Sequence, residues 1–277
     1  MIRKLFKRSP WAVVGLAFLL LVSLAAICAP WITHYGYADQ MIEHRLEGPS
    51  LMHWMGTDGL GRDLYSRVLF GARMSLAVGI FTAVASLLLG TLTGAIAGYY
   101  GGWIDEILMR VVDLFYIFPS LLLAILLMLV FGQGATGIFV AISLTAWVTQ
   151  ARLVRGQVLQ AREMAYVESA RAIGIGHGRV LWRHILPNLM GPIIVSLTLQ
   201  IPANIMAESF LSFIGLGLQP PFSSWGTLAA EGFRSIRAFP HLMIFPGGVL
   251  FLTVLAFNAL GDGLRDWLDP RQTSIAD

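Results

Sequence analysis

Five uncharged apolar runs divide the chain, at residues 11–32, 74–104, 114–151, 186–207 and 242–261, and charged or polar segments separate them. An α-helix rises about 1.5 Å per residue, so about 20 apolar residues cross the ~30 Å hydrocarbon core of a bilayer, and every run reaches that length. The run 114–151 is too long for one crossing, and Gly132, Gly134 and Gly137 fall near its middle. Glycine supplies turn conformations that other residues resist, so this run reads as helix, tight turn and second helix. The pattern predicts an all-α polytopic membrane protein with six transmembrane helices, at 11–32, 74–99, 107–131, 137–151, 189–213 and 243–261.

Composition agrees. Of 277 residues 56% are apolar and 13% charged, against about a quarter charged in soluble domains, and the mean hydropathy is +0.71. Basic residues near span ends are held on the cytoplasmic side. With the N-terminus inside, 13 lie inside (Arg3, Lys4, Lys7, Arg8, Arg110, Arg152, Arg155, Arg162, Arg171, Arg179, Arg183, Arg265 and Arg271) and 6 outside (Arg45, Arg62, Arg67, Arg73, Arg234 and Arg237). Both termini are therefore expected in the cytoplasm. The apolar run 11–32 exceeds the ~7–15 residues of a signal-peptide core, and Ile27 before Cys28 is not the small residue that lipoprotein cleavage needs, which favours an uncleaved anchor. Cys28 is the only cysteine, so no intrachain disulfide or cysteine metal cluster forms.

Several chemistries are excluded or disfavoured. Lys4 and Lys7 are the only lysines, so no phosphate-binding loop of the G-x-x-x-x-G-K-[ST] type exists. His34, His44, His53, His177, His184 and His241 form no H-E-x-x-H pair and no cluster with carboxylates along the chain, so no bound metal is expected. Intramembrane charge is scarce, which argues against an ion relay. Glu208 is the exception: Gln200, Asn204 and Glu208 recur every four residues and share one helix face, either a candidate translocation path for a polar solute or a site of interhelical hydrogen bonds. In the outside stretch "GTDGLGRDLYSR", Asp58 and Asp63 are suited to capping turns; with Arg62 they also form a candidate external gate or contact for an extracytoplasmic partner. Two aspartates offer too few oxygens for a calcium loop. Arg110 and Asp113 are spaced to pair along one helix.

One cytoplasmic stretch, "YVESARAIGIGHGRVLWRHILPN" from Tyr166 to Asn188, is conspicuously polar. Ala161 to Ile173 has helix-forming composition, Gly174, Gly176 and Gly178 break the helix, and a second short helix is expected from near Arg179, with Pro187 suited to a first turn. Two readings remain: an amphipathic segment on the anionic inner leaflet, or a knob that docks in a partner's groove. Glu168-Ser169-Ala170-x-x-x-Gly174, followed by Leu186-Pro187, resembles the E-A-A-x-x-x-G-x9-I-x-L-P loop of inner-membrane subunits of binding-protein-dependent ABC importers. Ser169 replaces an alanine of that pattern, and His184 takes its isoleucine position with Ile185 beside it. The stretches 56–76, 97–113 and 245–271 resemble the dipeptide/oligopeptide/nickel branch of the same family, in matching order and spacing.

That resemblance implies a type I ABC importer transmembrane fold and a permease subunit for short peptides or a related small polar solute in a bacterial cytoplasmic membrane. Glu168, Ser169, Ala170, Gly174, His184, Ile185, Leu186 and Pro187 would belong to the ATPase-coupling loop, at about 152–187. The implied partners are a second homologous permease subunit, two ABC ATPase subunits holding ATP-Mg, and an extracytoplasmic substrate-binding protein; no nucleic acid is expected. Residues 1–70 would be the N-terminal tail, first helix and outer loop, 71–262 the permease core, and 263–277 a cytoplasmic tail. A stand-alone secondary transporter or channel would call for internal repeats and buried charges, neither of which stands out. A membrane-embedded enzyme would need clustered acids or histidines, and Asp262, Asp266 and Asp269 beside Arg265 better suit a solvated helix end.

Overall fold

The computed structural model describes residues 9–268, which are predominantly helical with no strand among them. Arg3, Lys4, Lys7, Arg8, Asp269 and Arg271, used above, lie outside the described residues. The helices are α1 (Pro10–Ile32), α2 (Leu64–Tyr100), α3 (Gly102–Ile117), α4 (Ser120–Phe131), α5 (Ala135–Arg162), α6 (Ala165–Ala172), α7 (Met190–Phe213), α8 (Trp225–Phe233) and α9 (His241–Leu268). Residues 177–188 form a further helical segment, with Val180–Ile185 in π-helical register. Five helices are long and apolar enough to cross a membrane, and the pair α3 and α4 makes a sixth crossing if counted as one span.

That pair corrects the expected single span at 107–131. α3 and α4 meet at a 94° bend, because Pro119 has no N–H to continue the ladder and holds Phe118 in extended backbone. Other helices outrun their apolar stretches. α2 begins at Leu64 rather than residue 74, since Asp63 caps it by accepting the Ser66 amide at 2.8 Å. Its 37 residues span about 55 Å, nearly twice the hydrocarbon thickness, so its ends stand clear of the lipid. α5 runs on from the expected end at 151 to Arg162, and α9 passes the expected tail boundary at 262 to reach Leu268. The added turns of α5 are anchored by charge: Arg155 donates to both oxygens of Asp105 at 2.6 Å, and Arg152 donates to Asp113 at 2.5 Å. Asp113 therefore does not take the expected Arg110, which instead reaches Glu106 at 3.6 Å.

The most extensive helix pair is α2 against α5. Gly90, Gly94 and Gly98 lie at four-residue spacing on α2, and a Cβ added to Gly94 would come within 2.3 Å of the Ala151 carbonyl oxygen. Lipid gives no hydrophobic drive for helices to associate, so this backbone-to-backbone approach supplies the van der Waals contact instead. α2 carries an apolar core at each end. One core joins Leu64 and Val68 of α2 to α1, α7, Trp225 and Leu228 of α8, and α9. The other joins Ala95 and Tyr99 to Val154 and Val158 of α5, the 165–188 segment and the start of α7.

Gly94→Leu is expected to separate α2 from α5 and lower the thermal midpoint of the purified protein by several degrees or abolish its accumulation. Gly156→Leu on α5 is expected to change the midpoint little, because a Cβ there meets nothing within 4 Å. Differential scanning fluorimetry in detergent checks both.

Candidate functional site

At the Tyr99 end of α2, residues 165–188 fold into a helix, a turn and a second helical segment, as the glycine pattern predicts. α6 closes with two specific bonds: the Ile175 amide donates to the Ala170 carbonyl at 3.1 Å, and the Gly174 amide to the Arg171 carbonyl at 2.9 Å. This is the Schellman arrangement, which requires left-handed backbone at its glycine position, and Gly174 has φ +82°. Ile175 then packs on the core beneath. The chain therefore reverses in a single turn at Gly174.

The expected loop residues divide by face. Ala170, Ile185 and Leu186 are buried with Val167, Val180 and Leu181 and build the base. Glu168, Ser169, Gly174 and Pro187 are exposed, and His184 is half-buried with its carbonyl accepting from the Asn188 side chain at 2.9 Å. Glu168 lies in the first turn of α6, where the helix dipole favours a carboxylate. Met164, Tyr166, Ile173 and Trp182 of the same stretch are exposed as well. A Cβ at Gly174, Gly176 or Gly178 would meet nothing within 4 Å, so the backbone there is bare to an approaching surface.

Tyr99 holds the knob to the membrane helices. It is 4% exposed, its hydroxyl is 3.1 Å from His177 Nδ1, and the Arg171 guanidinium lies 5.3 Å from its ring centre. Arg162 adds a bond to the Gly98 carbonyl at 3.3 Å. Neither Tyr99 nor this anchoring was evident in the sequence, because Tyr99 looks like one more aromatic at a span end.

At the other end, Asp58, Arg62 and Asp63 are all nearly buried. Asp58 accepts the amides of Leu60 and Arg62 and the side chains of Arg62, at 2.7 Å, and Arg67, at 2.5 Å. Burial alone would raise the Asp58 carboxyl, but Arg67, the two amides and Arg62 outweigh it and hold it below the usual carboxylate range. Arg67 also reaches Glu231 of α8 at 2.6 Å, and Asp63 binds His53 Nδ1 at 2.9 Å. The charges of the candidate gate are thus consumed within the fold. Arg67 and Glu231, 164 positions apart, complete it and could not be joined from sequence.

Gln200, Asn204 and Glu208 do share one face of α7, but it turns inward. The Gln200 amide donates to Asn204 at 3.1 Å, Asn204 donates to Thr82 of α2 at 2.8 Å, and Glu208 is fully buried, accepting from Ser212 at 2.7 Å. Gln200 alone of the three lines an open cavity of about 590 Å³ between α5, α7 and α9, together with Gln150, Gln157, Ser196 and Arg265. The Gln150 amide nitrogen is buried there without a hydrogen-bond partner.

The family described as binding-protein-dependent transport system inner membrane component matches residues 90–274, and the N-terminal TM domain of oligopeptide transport permease C matches residues 1–49. Over 266 residues the chain is 44% identical to the oligopeptide transport system permease protein OppC of Bacillus subtilis, covering 96% of this chain and 87% of that protein. It is 45% identical to the dipeptide transport system permease protein DppC of the same organism, covering 96% and 83%. It is 44% identical to the glutathione transport system permease protein GsiD of Pectobacterium atrosepticum, covering 97% and 90%. Among solved structures, a chain of an inward-facing methionine ABC transporter superposes with a TM-score of 0.62 at 15% identity, covering 74% of this chain and 98% of that one. An amino acid ABC transporter gives 0.58 at 17% identity, covering 73% and 94%.

Arg67→Met leaves Asp58 without its closest charge partner, and removing one member of a buried ionic network costs roughly 3 kcal/mol or more. Glu231→Gln, at a half-exposed partner, is expected to cost under about 1 kcal/mol. The folded carboxyl of Asp58 is depressed, so its contribution is present at neutral pH and disappears as pH falls through the carboxylate range. Thermal midpoints of the two variants and the native chain at neutral and acidic pH check this: the gap between native and Arg67→Met is expected to close on acidification.

Proposed function

The chain belongs to the family of binding-protein-dependent transport system inner membrane components, and we propose that it couples ATP hydrolysis on separate subunits to uptake of short peptides. It is a multi-pass membrane permease subunit of an ABC importer, and its helical fold is shared with permease chains of methionine and amino acid ABC transporters. Family membership sets aside the stand-alone transporter or channel. The peptide assignment is supported by relatives of 44–45% identity whose names specify oligopeptides, dipeptides and glutathione, all chains of amide-linked residues.

The observation that carries the coupling proposal is the exposed face of residues 165–188. Glu168, Ser169 and the glycine backbone are exposed together with apolar Met164, Tyr166, Ile173 and Trp182, on a base locked to α2, α5 and α7. A lipid-lying helix would present one continuous apolar stripe; this segment instead turns back on itself at Gly174, the shape of a knob. We assign it to a groove of a cytoplasmic ATPase subunit, with both chain termini on the same side. Movement of the groove would tilt α2, α5 and α7 as a unit, because Tyr99, Val158 and Leu189 share the knob's core.

The 590 Å³ cavity between α5, α7 and α9 is our candidate for this subunit's half of the translocation path. Its amide and hydroxyl side chains match the donors and acceptors of a peptide backbone. Gln200 belongs to that path, whereas the bonds of Asn204 and Glu208 favour a role in holding α7. A second homologous permease would supply the opposite wall, an extracytoplasmic binding protein would deliver substrate to the end bearing Asp58, Arg62 and Asp63, and ATP-Mg would be held by two ATPase subunits rather than this chain. A gating role for those three residues would act through the loop shape they fix. We place the permease core at 71–262, with its last helix continuing into the 263–277 tail.

Glu168→Lys and Gly174→Asp are each expected to lower peptide uptake by about tenfold or more, the loss of about 1.4 kcal/mol or more of docking free energy, while the protein stays in the membrane at normal levels. Labelled dipeptide uptake, membrane immunoblotting and recovery of the ATPase on affinity purification check it. Unchanged uptake in both variants contradicts the coupling role.

A further inference from the structure

The histidines are scattered along the chain, yet the loop between α1 and α2 brings two of them against a carboxylate. One ligand atom from each of His44, Glu47 and His53 lies within 4.8 Å of the other two. We propose that this loop binds a divalent transition-metal ion, with His44, Glu47 and His53 as ligands and Asp63 as the orienting partner of His53.

The donor set is two imidazoles and one carboxylate, the mixed nitrogen and oxygen chemistry that suits zinc and neighbouring borderline ions rather than calcium or magnesium. The decisive feature is outside the three ligands. His53 Nδ1 bonds to Asp63 Oδ1 at 2.9 Å, and both residues are almost wholly buried. A carboxylate on Nδ1 fixes the tautomer with its proton there, leaving Nε2 as a lone pair, and makes the imidazole a stronger ligand, as metal-bound histidines are commonly held. The His53 ring is also packed by Tyr35 at 4.9 Å and His44 at 5.9 Å between ring centres, so it cannot swing away.

The other two ligands are set by backbone. The Thr57 hydroxyl donates to the His44 carbonyl and accepts the Glu47 amide at 2.9 Å. The Leu46 amide donates to the Asp58 carbonyl at 3.0 Å, and the Thr57 amide to the Glu47 carbonyl at 3.0 Å. Leu46, between the two ligands, is the only non-glycine residue with positive φ among the described residues, at +60°; its cost of about 1 kcal/mol is sustained by those bonds. The strained turn puts the side chains of His44 and Glu47 2.9 Å apart, each with 42% of its surface exposed. Metal bonds of about 2.0–2.2 Å would set the ligand atoms roughly 3.4 Å apart, so the half-exposed His44 and Glu47 side chains would part slightly from each other and close on His53, which stays fixed. Nδ1 of His44 and Glu47 now satisfy one another, and an ion would replace that contact.

The test uses the full-length permease, purified without a polyhistidine tag and treated with chelator, titrated with Co²⁺ and Zn²⁺. Native protein is expected to bind one equivalent, with a visible Co²⁺ d–d absorption that Zn²⁺ bleaches and a Zn²⁺-dependent rise in thermal midpoint. His44→Ala and Glu47→Gln, both at half-exposed positions, are expected to fold as native, to weaken binding at least tenfold and to remove the shift. His34→Ala, an exposed histidine of the same loop, is expected to behave as native. No stoichiometric binding by the native protein overturns the proposal, as does equal binding by native, His44→Ala and Glu47→Gln forms.

Discussion

The close approach of α2 to α5 is the contact on which the rest depends. Three glycines at four-residue spacing let the two backbones meet, and the meeting line extends from the hydrocarbon region to the end of α2. Beyond Gly98, Tyr99 passes the register of that pair to the knob through His177 and Arg171. At the opposite end the same helix, capped by Asp63, carries Arg67 into the network with Asp58 and Glu231. One rod some 55 Å long thus bears both polar structures of the protein, each tied to it by side-chain contacts.

The two ends are built differently. The knob has an apolar base and a polar exposed face, so its surface is available to a partner at little cost to its own core. The outer loop does the reverse: its charges are spent inside, on Asp58, Arg62, Arg67 and Asp63, and stabilise a shape. An end that docks must expose its recognition groups, and a lid or platform must hold its conformation, so the contrast fits coupling at one end and delivery at the other. Transport by an importer of this class requires communication between those ends.

What could be read along the chain follows the range of the forces involved. Hydrocarbon thickness acts on every span, so the helical class and five of the spans were legible from apolar runs, the sixth being the bent pair α3 and α4. Gly174 was legible as a break, but its Schellman bonds to Ala170 and Arg171 appear only when the backbone is folded. The glycine turn expected near 132–137 is present between α4 and α5, whereas the 94° bend at Pro119 is a further break within the span expected at 107–131, where the apolar run continues unbroken through the proline. Helix ends were misjudged where polar contacts carry a helix past its apolar part, as Arg155 with Asp105 does for α5 and the Asp63 cap does for α2. The inward turn of the Gln200, Asn204 and Glu208 face was settled by Thr82, 122 positions away from Asn204, and no local pattern encodes a partner that distant.

Docking of the knob in an ATPase subunit is a proximity that can be measured directly. In a Cys28→Ser, Ser169→Cys chain, co-expressed with its transport partners, a short bifunctional thiol-to-amine reagent would be applied to membranes and the cross-linked product identified by mass spectrometry. A covalent product between residue 169 and a cytoplasmic ATPase subunit is expected, altered in yield when ATP is supplied. Modification of residue 169 with no ATPase cross-link, in membranes that still transport peptide, would contradict it.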